Sequence, residues 1–264
     1  MKPRGIVICV NYDDLLSITL PLNLLHLSEC CVVTSRKDIR TQELASRFPA
    51  KVELLVTDAF TRHGARFNKG LAMEEGLDFF GRHGRMLIWD ADTLFPYDMS
   101  LEGFVDGNLH GAPRLIMEDA KLWSPGLDWS KFPKTYDKEL PGYFQLFDAA
   151  DPVLAQRPWY DPTFRHAGGC DSYFHDLWPK QKWTRLPFNV LHLGPRDVNW
   201  FGRASGRIDG LVLTDTERNA TDCKRLRVFH GWDSSGPQPD GHVDRVEIPG
   251  FKSAYTWNKS ERQQ

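Results

Sequence analysis

Four short apolar runs, at 5–10, 31–33, 52–56 and 85–89, constrain the fold more than any other feature of this sequence. They are rich in valine, isoleucine and leucine and nearly continuous, as strands are when a sheet is covered on both faces. Each gives way to polar residues: Asn11, Thr34-Ser35, Thr57-Asp58 and Asp90-Ala91-Asp92. Helical spacing fills the intervals, first from a cap at Asp13 or Asp14 to about Leu27, then over 40–48 and over 68–80. Repeated strand–helix units predict an α/β fold with a mostly parallel, Rossmann-like sheet and right-handed crossovers. Ligands of such sheets bind beyond the carboxyl ends of the strands, which is where the polar residues fall.

The pattern changes after Leu94. Pro, Gly and Trp become dense over 111–200, with a strand candidate at 142–147. The expected organisation is one domain over 1–264. About 1–95 form its strand–helix, ligand-binding half and about 96–233 an acceptor or specificity half, followed by a loop and tail over 234–264. Within that tail, 234–242 read as a Pro/Gly/Asp-rich loop, and the last dozen residues are polar and prone to fraying. With 41% hydrophobic residues in a chain of 264, a substantial core can form, which excludes disorder, collagen and coiled coil as the main architecture.

Charge and cysteine usage narrow the setting. A net charge of −2 argues against a protein that coats nucleic acid over its whole surface. The longest uncharged run, 15–28, contains Pro21, Asn23 and His26 and is too short and too polar to span a bilayer. It also follows Asp13 and Asp14, the wrong flank for a signal peptide. Five scattered cysteines without a Cys-x-x-Cys pair read as reduced thiols, so the expected location is cytoplasmic.

The segment with the most chemistry is Asp90-Ala91-Asp92, two carboxylates at i and i+2 where an apolar strand opens into a loop. Hard oxygen ligands so placed suit Mn²⁺ or Mg²⁺, which in turn binds a diphosphate. The same residues also suit a solvated turn that merely ends a strand.

Their companions point to a family. Phe67-Asn68-Lys69-Gly70 before a helix, followed by Asp90-Ala91-Asp92 after a strand, resembles the core of GT-A glycosyltransferases, in particular the β-1,4-galactosyltransferase and chondroitin-polymerase type. The resemblance continues in the family's order across about 5–200. Gly142-Tyr143-Phe144-Gln145-Leu146-Phe147 is similar to the glycine-bearing acceptor segment, Gly168-Gly169-Cys170-Asp171 to the Gly-Gly-Glu-Asp element, and His192 to the later metal-binding histidine. The resemblance implies a GT-A-like fold and an inverting transfer of sugar from a nucleotide donor, a UDP-sugar first, to a hydroxyl of a glycan or glycolipid. Asp90, Asp92 and His192 would then form the metal shell, and Asp171 would be the catalytic base. Asn68, Lys69 and Asp90 would lie near the sugar nucleotide, with Arg66 reaching its phosphates. Cys170 stands where relatives often carry Glu, a departure that bears on acceptor contacts.

The residues themselves agree with that chemistry while keeping plainer roles open. An inverting transfer needs a base for the acceptor hydroxyl and a Lewis acid for the leaving diphosphate. Asp171 suits the first but would equally cap a helix over 172–178. His192 lies in an apolar run, where a histidine is commonly packed and hydrogen-bonded. Asn11, Thr34, Asp38 and Asp58 sit at strand ends where a nucleobase and ribose would lie. Trp123, Trp129, Trp159, Trp178 and Trp200 offer either a sugar-stacking platform or core packing, and 230–233 could close on the nucleotide.

Three other functions compete with this one. A haloacid-dehalogenase-like phosphatase requires Asp-x-Asp-x-Thr on the first strand, whereas Thr93 follows Asp92 directly and the motif comes late. A non-catalytic nucleotide-sugar or glycan-binding module would need no Asp171. Finally, 180–227 carries a net +5 in a slightly acidic chain, a flank that could guide a polyanion such as DNA with hydroxylated bases, Arg203 and Arg207 among its charges.

Overall fold

The computed structural model describes residues 1–135, 140, 142–195, 202–203, 205–214, 245 and 247–249. The expectations for Trp200, 230–233, 234–242 and the last dozen residues lie outside them. The chain opens as anticipated, with three strand–helix units and a fourth strand: β1 (Arg4–Ile8), α1 (Asp13–Asn23), β2 (Cys30–Ser35), α2 (Ile39–Ala45), β3 (Val52–Thr57), α3 (Lys69–Phe80) and β4 (Arg85–Asp90). There follow β5 (Thr93–Leu94), β6 (Leu109–Gly111), β7 (Arg114–Met117), β8 (Lys134–Thr135), β9 (Phe144–Asp148), α4 (Cys170–His175), β10 (Trp183–Arg185) and β11 (Val190–Leu193).

Seven strands form the central sheet in the order β10-β6-β9-β4-β1-β2-β3. All run parallel except β9, which is antiparallel to both β4 and β6. A smaller sheet, β5-β11-β7-β8, flanks it. Alternate residues of the central strands serve two cores. Ile6, Ile8, Val33, Met86 and Ile88 meet Met73, Leu77 and Phe80 of α3 and Phe174 of α4 on one face. Val7, Cys9, Val32, Leu87 and Trp89 meet Leu16 and Leu20 of α1 and Leu44 of α2 on the other. Burial on both faces explains why the strand runs read as nearly continuous apolar stretches.

Several local expectations change. Helix α1 ends at Asn23 rather than near Leu27, and the Asn23 side chain ties that end to β5, donating to the Thr93 carbonyl at 2.9 Å and accepting from the Phe95 N–H at 2.9 Å. Tyr12 occupies its N-cap, with Asp13 and Asp14 in the first turn. Trp159 and Trp178 are buried in the core, and Trp123 and Trp129 pack half-buried against the small sheet. Among the described residues no helix is long and apolar enough to cross a membrane.

Candidate active site

The site forms where β1, β4 and β9 meet at the carboxyl rim of the parallel strands. Pairing of Ile8 with Asp90 sets the loop after β1 beside the loop after β4. Antiparallel β9 brings its beginning to the same rim, where the Tyr143 carbonyl accepts from the Asp90 N–H at 3.4 Å. From the small sheet, β11 pairs with β5 so that His192 lies opposite Thr93, and the Leu193 N–H donates to the Asp92 carbonyl at 2.8 Å.

Helix α3 supplies the central cation. Asn68 caps it, accepting from the Leu71 N–H at 2.8 Å while its amide donates to the Pro162 carbonyl at 2.6 Å. Asn68 is fully buried and thereby fixes the first turn. A Cβ on Gly70 would lie 2.2 Å from the Asp161 carbonyl oxygen, so glycine is what allows that turn to press against the loop before α4. Lys69, 6% exposed, projects from this anchored start. Its Nζ lies 2.8 Å from Asp90 Oδ1 and 3.2 Å from Asp171 Oδ1, joining two carboxylates far apart in the chain.

Asp171 is the second residue of α4. The helix cap is Gly169, which makes no side-chain capping bond, so the capping role open to Asp171 from sequence is not the one it takes. Its carboxylate is lodged instead against Gly142, where an added Cβ would stand 2.1 Å from its carboxyl carbon. Burial raises the Asp171 pKa above the usual carboxylate value; Lys69 opposes the shift and Asp90 reinforces it. Asp90 is half-buried, yet Lys69, with His192 and Arg114, holds it below that value. Lys69 itself stays charged, because the two carboxylates outweigh the cost of its burial and raise its pKa well above the ordinary amine value.

Asp92 and His192 form the other pole. His192 Nδ1 lies 3.0 Å from the Gly194 carbonyl, which can only accept, so Nδ1 carries the proton. In the neutral ring the Nε2 lone pair then faces Asp92 Oδ2 at 3.6 Å. Asp92 Oδ1 is buried without a hydrogen-bond partner, and burial raises the pKa of this carboxyl. A carboxylate with an orphaned oxygen opposite an imidazole lone pair is a donor set that suits a divalent cation. Among the described residues, no group of three His, Cys, Asp or Glu is drawn together as a metal cage. Asp92 and His192 face each other without a third such group, while Asp90 is engaged by Lys69.

The other predicted donor-side residues spread along the rim. Asn11 is buried in a left-handed turn at φ 63°, and its N–H donates to Asp38 Oδ2 at 2.6 Å. Thr34 is buried and directs its hydroxyl at the same carboxylate, which also caps α2. Asp58 is exposed and paired with Arg62, and Arg66 is exposed at its side chain while its N–H bonds the Arg165 carbonyl at 3.0 Å. Cys170 is fully buried, its thiol 3.1 Å from the Ala167 carbonyl.

Sequence reasoning missed several supporting residues. Arg114 lies over the Tyr143 ring at 4.4 Å and favours the charged forms of Asp90 and Asp92. Gln145 is fully buried, donating to the Leu140 and Asp171 carbonyls and accepting from the Tyr160 hydroxyl at 2.7 Å. Tyr12 lies beneath Arg203, and burial followed by the neighbouring Asp92 charge raises its hydroxyl pKa well above the ordinary value. Arg203 and Arg207, taken from sequence as part of a polyanion-guiding flank, are only 1% and 5% exposed and bind Asp14 and Asp13. They face inward and cannot form that surface.

No protein-family model and no curated protein matches the sequence. Among solved structures, the chain is similar to S. aureus TarS 1-349 with a TM-score of 0.52 and 13% identity, over 73% of this chain and 60% of that one. It is also similar to M. tuberculosis glucosyl-3-phosphoglycerate synthase, with a TM-score of 0.43, 13% identity and coverage of 74% and 73%. A third is the inositol-1-phosphate CTP transferase from T. maritima, with a TM-score of 0.44, 9% identity and coverage of 75% and 92%. At such identities likeness concerns the fold alone. The chain has a GT-A-like α/β fold, with a large, mostly parallel sheet between helical layers.

Proposed function

We propose that this protein is a glycosyltransferase that moves a sugar, with inversion, from a nucleotide-sugar donor, a UDP-sugar first, to a hydroxyl of a glycan or glycolipid. The observation that carries the reading is the seating of Asp171 against Gly142 and its bridging by Lys69 to Asp90, two residues before the Asp92 that faces His192. In the reaction Asp171 accepts the proton of the acceptor hydroxyl as that oxygen bonds to the anomeric carbon. The bond from that carbon to the diphosphate breaks on the opposite face, and the nucleoside diphosphate leaves with the electron pair. The raised pKa of Asp171 makes it a better proton acceptor than an exposed carboxylate, and Lys69 keeps it ionised for the task. Asp92 and His192 would hold a Mn²⁺ or Mg²⁺ ion, whose charge offsets the charge building on the departing diphosphate.

The stereochemistry and the hexosyl group follow from the resemblance to the β-1,4-galactosyltransferase type. A non-catalytic binding module would share the rim but would have no use for a buried base. The deciding experiment is a hydrolysis and transfer screen with UDP-, GDP- and TDP-sugars, with Mn²⁺ and with EDTA. Asp171→Asn should lower the rate by about 10²–10⁴-fold while nucleotide binding persists. Transfer at the wild-type rate by that variant, or full activity in chelator, would sink the mechanism.

A further inference from the structure

Two arginines that follow β11 in the sequence, Arg203 and Arg207, are buried at the start of α1. Arg203 Nη1 donates to the Asn11 carbonyl at 3.0 Å, Nη2 donates to Asp14 Oδ2 at 3.0 Å and to the Gly206 carbonyl at 2.8 Å, and the other Asp14 oxygen completes the pair. Arg207 grips Asp13 at 2.5 and 2.7 Å and Asp209 at 2.6 Å. The Ile208 N–H adds a bond to Asp14 at 2.8 Å. Two guanidinium groups thus close a contact between segments almost two hundred positions apart in the chain.

What they hold is a single turn. Asn11 adopts a left-handed conformation, which asparagine tolerates better than most side chains but at more cost than glycine. Its N–H is held by Asp38 and its carbonyl by Arg203. The next residue, Tyr12, has its ring under the Arg203 guanidinium at 4.7 Å. Register places this turn at the end of β1 beside Asp90, and the two arginines lie about ten positions past the strand that carries His192. The same run of chain therefore reaches both the metal-suited pair and the neighbouring rim.

We propose that Arg203 and Arg207 are positioning residues for the nucleotide subsite, fixing the Asn11–Tyr12 turn in its binding conformation without touching the donor. The inference rests on the donor lying at this rim, as argued above. A bidentate clamp that also reaches a backbone carbonyl requires the planar fork of arginine, so lysine would restore charge but not the full set of bonds.

The test uses two variants of the full chain. Arg203→Met combined with Asp14→Asn removes the ion pair without leaving a buried charge alone and keeps an acceptor for the Ile208 N–H. Arg203→Lys is the milder change. Amide exchange on the ligand-free protein should show the Asn11 and Tyr12 amides opening about tenfold more readily in the double variant, with α3 and β4 still protected. UDP affinity in Mn²⁺ and the donor KM should worsen by about tenfold, with kcat within about threefold, and Arg203→Lys should fall between. A purely structural role would instead loosen every element and leave KM of the surviving enzyme unchanged, which overturns the proposal. Unchanged turn amides overturn it as well. If the wild-type chain binds no UDP, GDP or TDP, the donor reading fails, and the exchange data still decide whether the arginines fix the turn.

Discussion

Replacing Gly142 by alanine tests whether the position of the Asp171 carboxylate, and not its presence alone, sets the rate. Gly142 does not lie in the left-handed region, so alanine introduces no backbone strain there. The added methyl would instead stand 2.1 Å from the Asp171 carboxyl carbon and 2.2 and 2.3 Å from its oxygens. Ordinary contact begins near 3.4 Å, so the carboxylate must retreat by about 1.3 Å, the difference between 3.4 and 2.1 Å, unless the backbone moves. Such a retreat disturbs the 3.2 Å contact with Lys69 and moves the base from the line of attack. Misplacement by about 1 Å costs on the order of 10²-fold in rate, and overpacking adds about 1–3 kcal/mol of destabilisation. Steady-state kinetics on the best donor should therefore show kcat down by about 10²-fold, with donor KM within about threefold. Gly142→Ala combined with Asp171→Gly removes the clash, so it should regain the lost stability in urea and be no slower than Asp171→Gly alone. A Gly142→Ala enzyme with wild-type kcat, or a double variant in which both penalties simply add, would refute the reasoning.

Lys69→Met should leave the half-buried carboxylates of Asp90 and Asp171 facing each other with no cation between them, and so lower the midpoint of urea unfolding. Because Lys69 lowers the Asp171 pKa, its loss should move the acidic limb of the rate profile to higher pH; an unmoved limb would show that the base is not coupled to Lys69. Asp209 has its pKa depressed from 3.8 to about 2, chiefly by its bond to Arg207. Its contribution to stability is present above the unfolded value and is lost as pH falls through about 2. Asp209→Ala should accordingly destabilise the chain at pH 6 by more than at pH 3 in urea titrations, and an equal difference at both would contradict that linkage.

The central half of the fold was legible because its strands are covered on both faces, which writes them as compact apolar runs, and because Asn68 announces its helix with a capping side chain. The same runs located the rim and hence Asn11, Asp90 and Asp92. Long-range pairing was illegible. Arg203 and Arg207 entered a charge count as surface because counting cannot see Asp13 and Asp14 arriving from the other end of the chain. The start of α1 was read from a capping aspartate and lies one residue earlier, at Tyr12, while its end, tied to β5 through Asn23, left no local signal. For Asp171 the local signal was real but incomplete: a carboxylate after two glycines suits a cap, and only the contact with Gly142 and Lys69 distinguishes the base.

The reversed direction of β9 separates two kinds of variation. Every parallel strand delivers an outgoing chain to the rim, so the loops carrying Asn11 and Asp90 are tied to the strands behind them. At β9 the chain arrives, and Gly142 stands at the entrance of a strand, ahead of its pairing with β4. Changes made upstream of that entrance alter what approaches Asp171, while the Ile8–Asp90 register that frames the opposite side stays in place. For anyone regrafting this scaffold to a new acceptor, the junction before β9 is the place to cut.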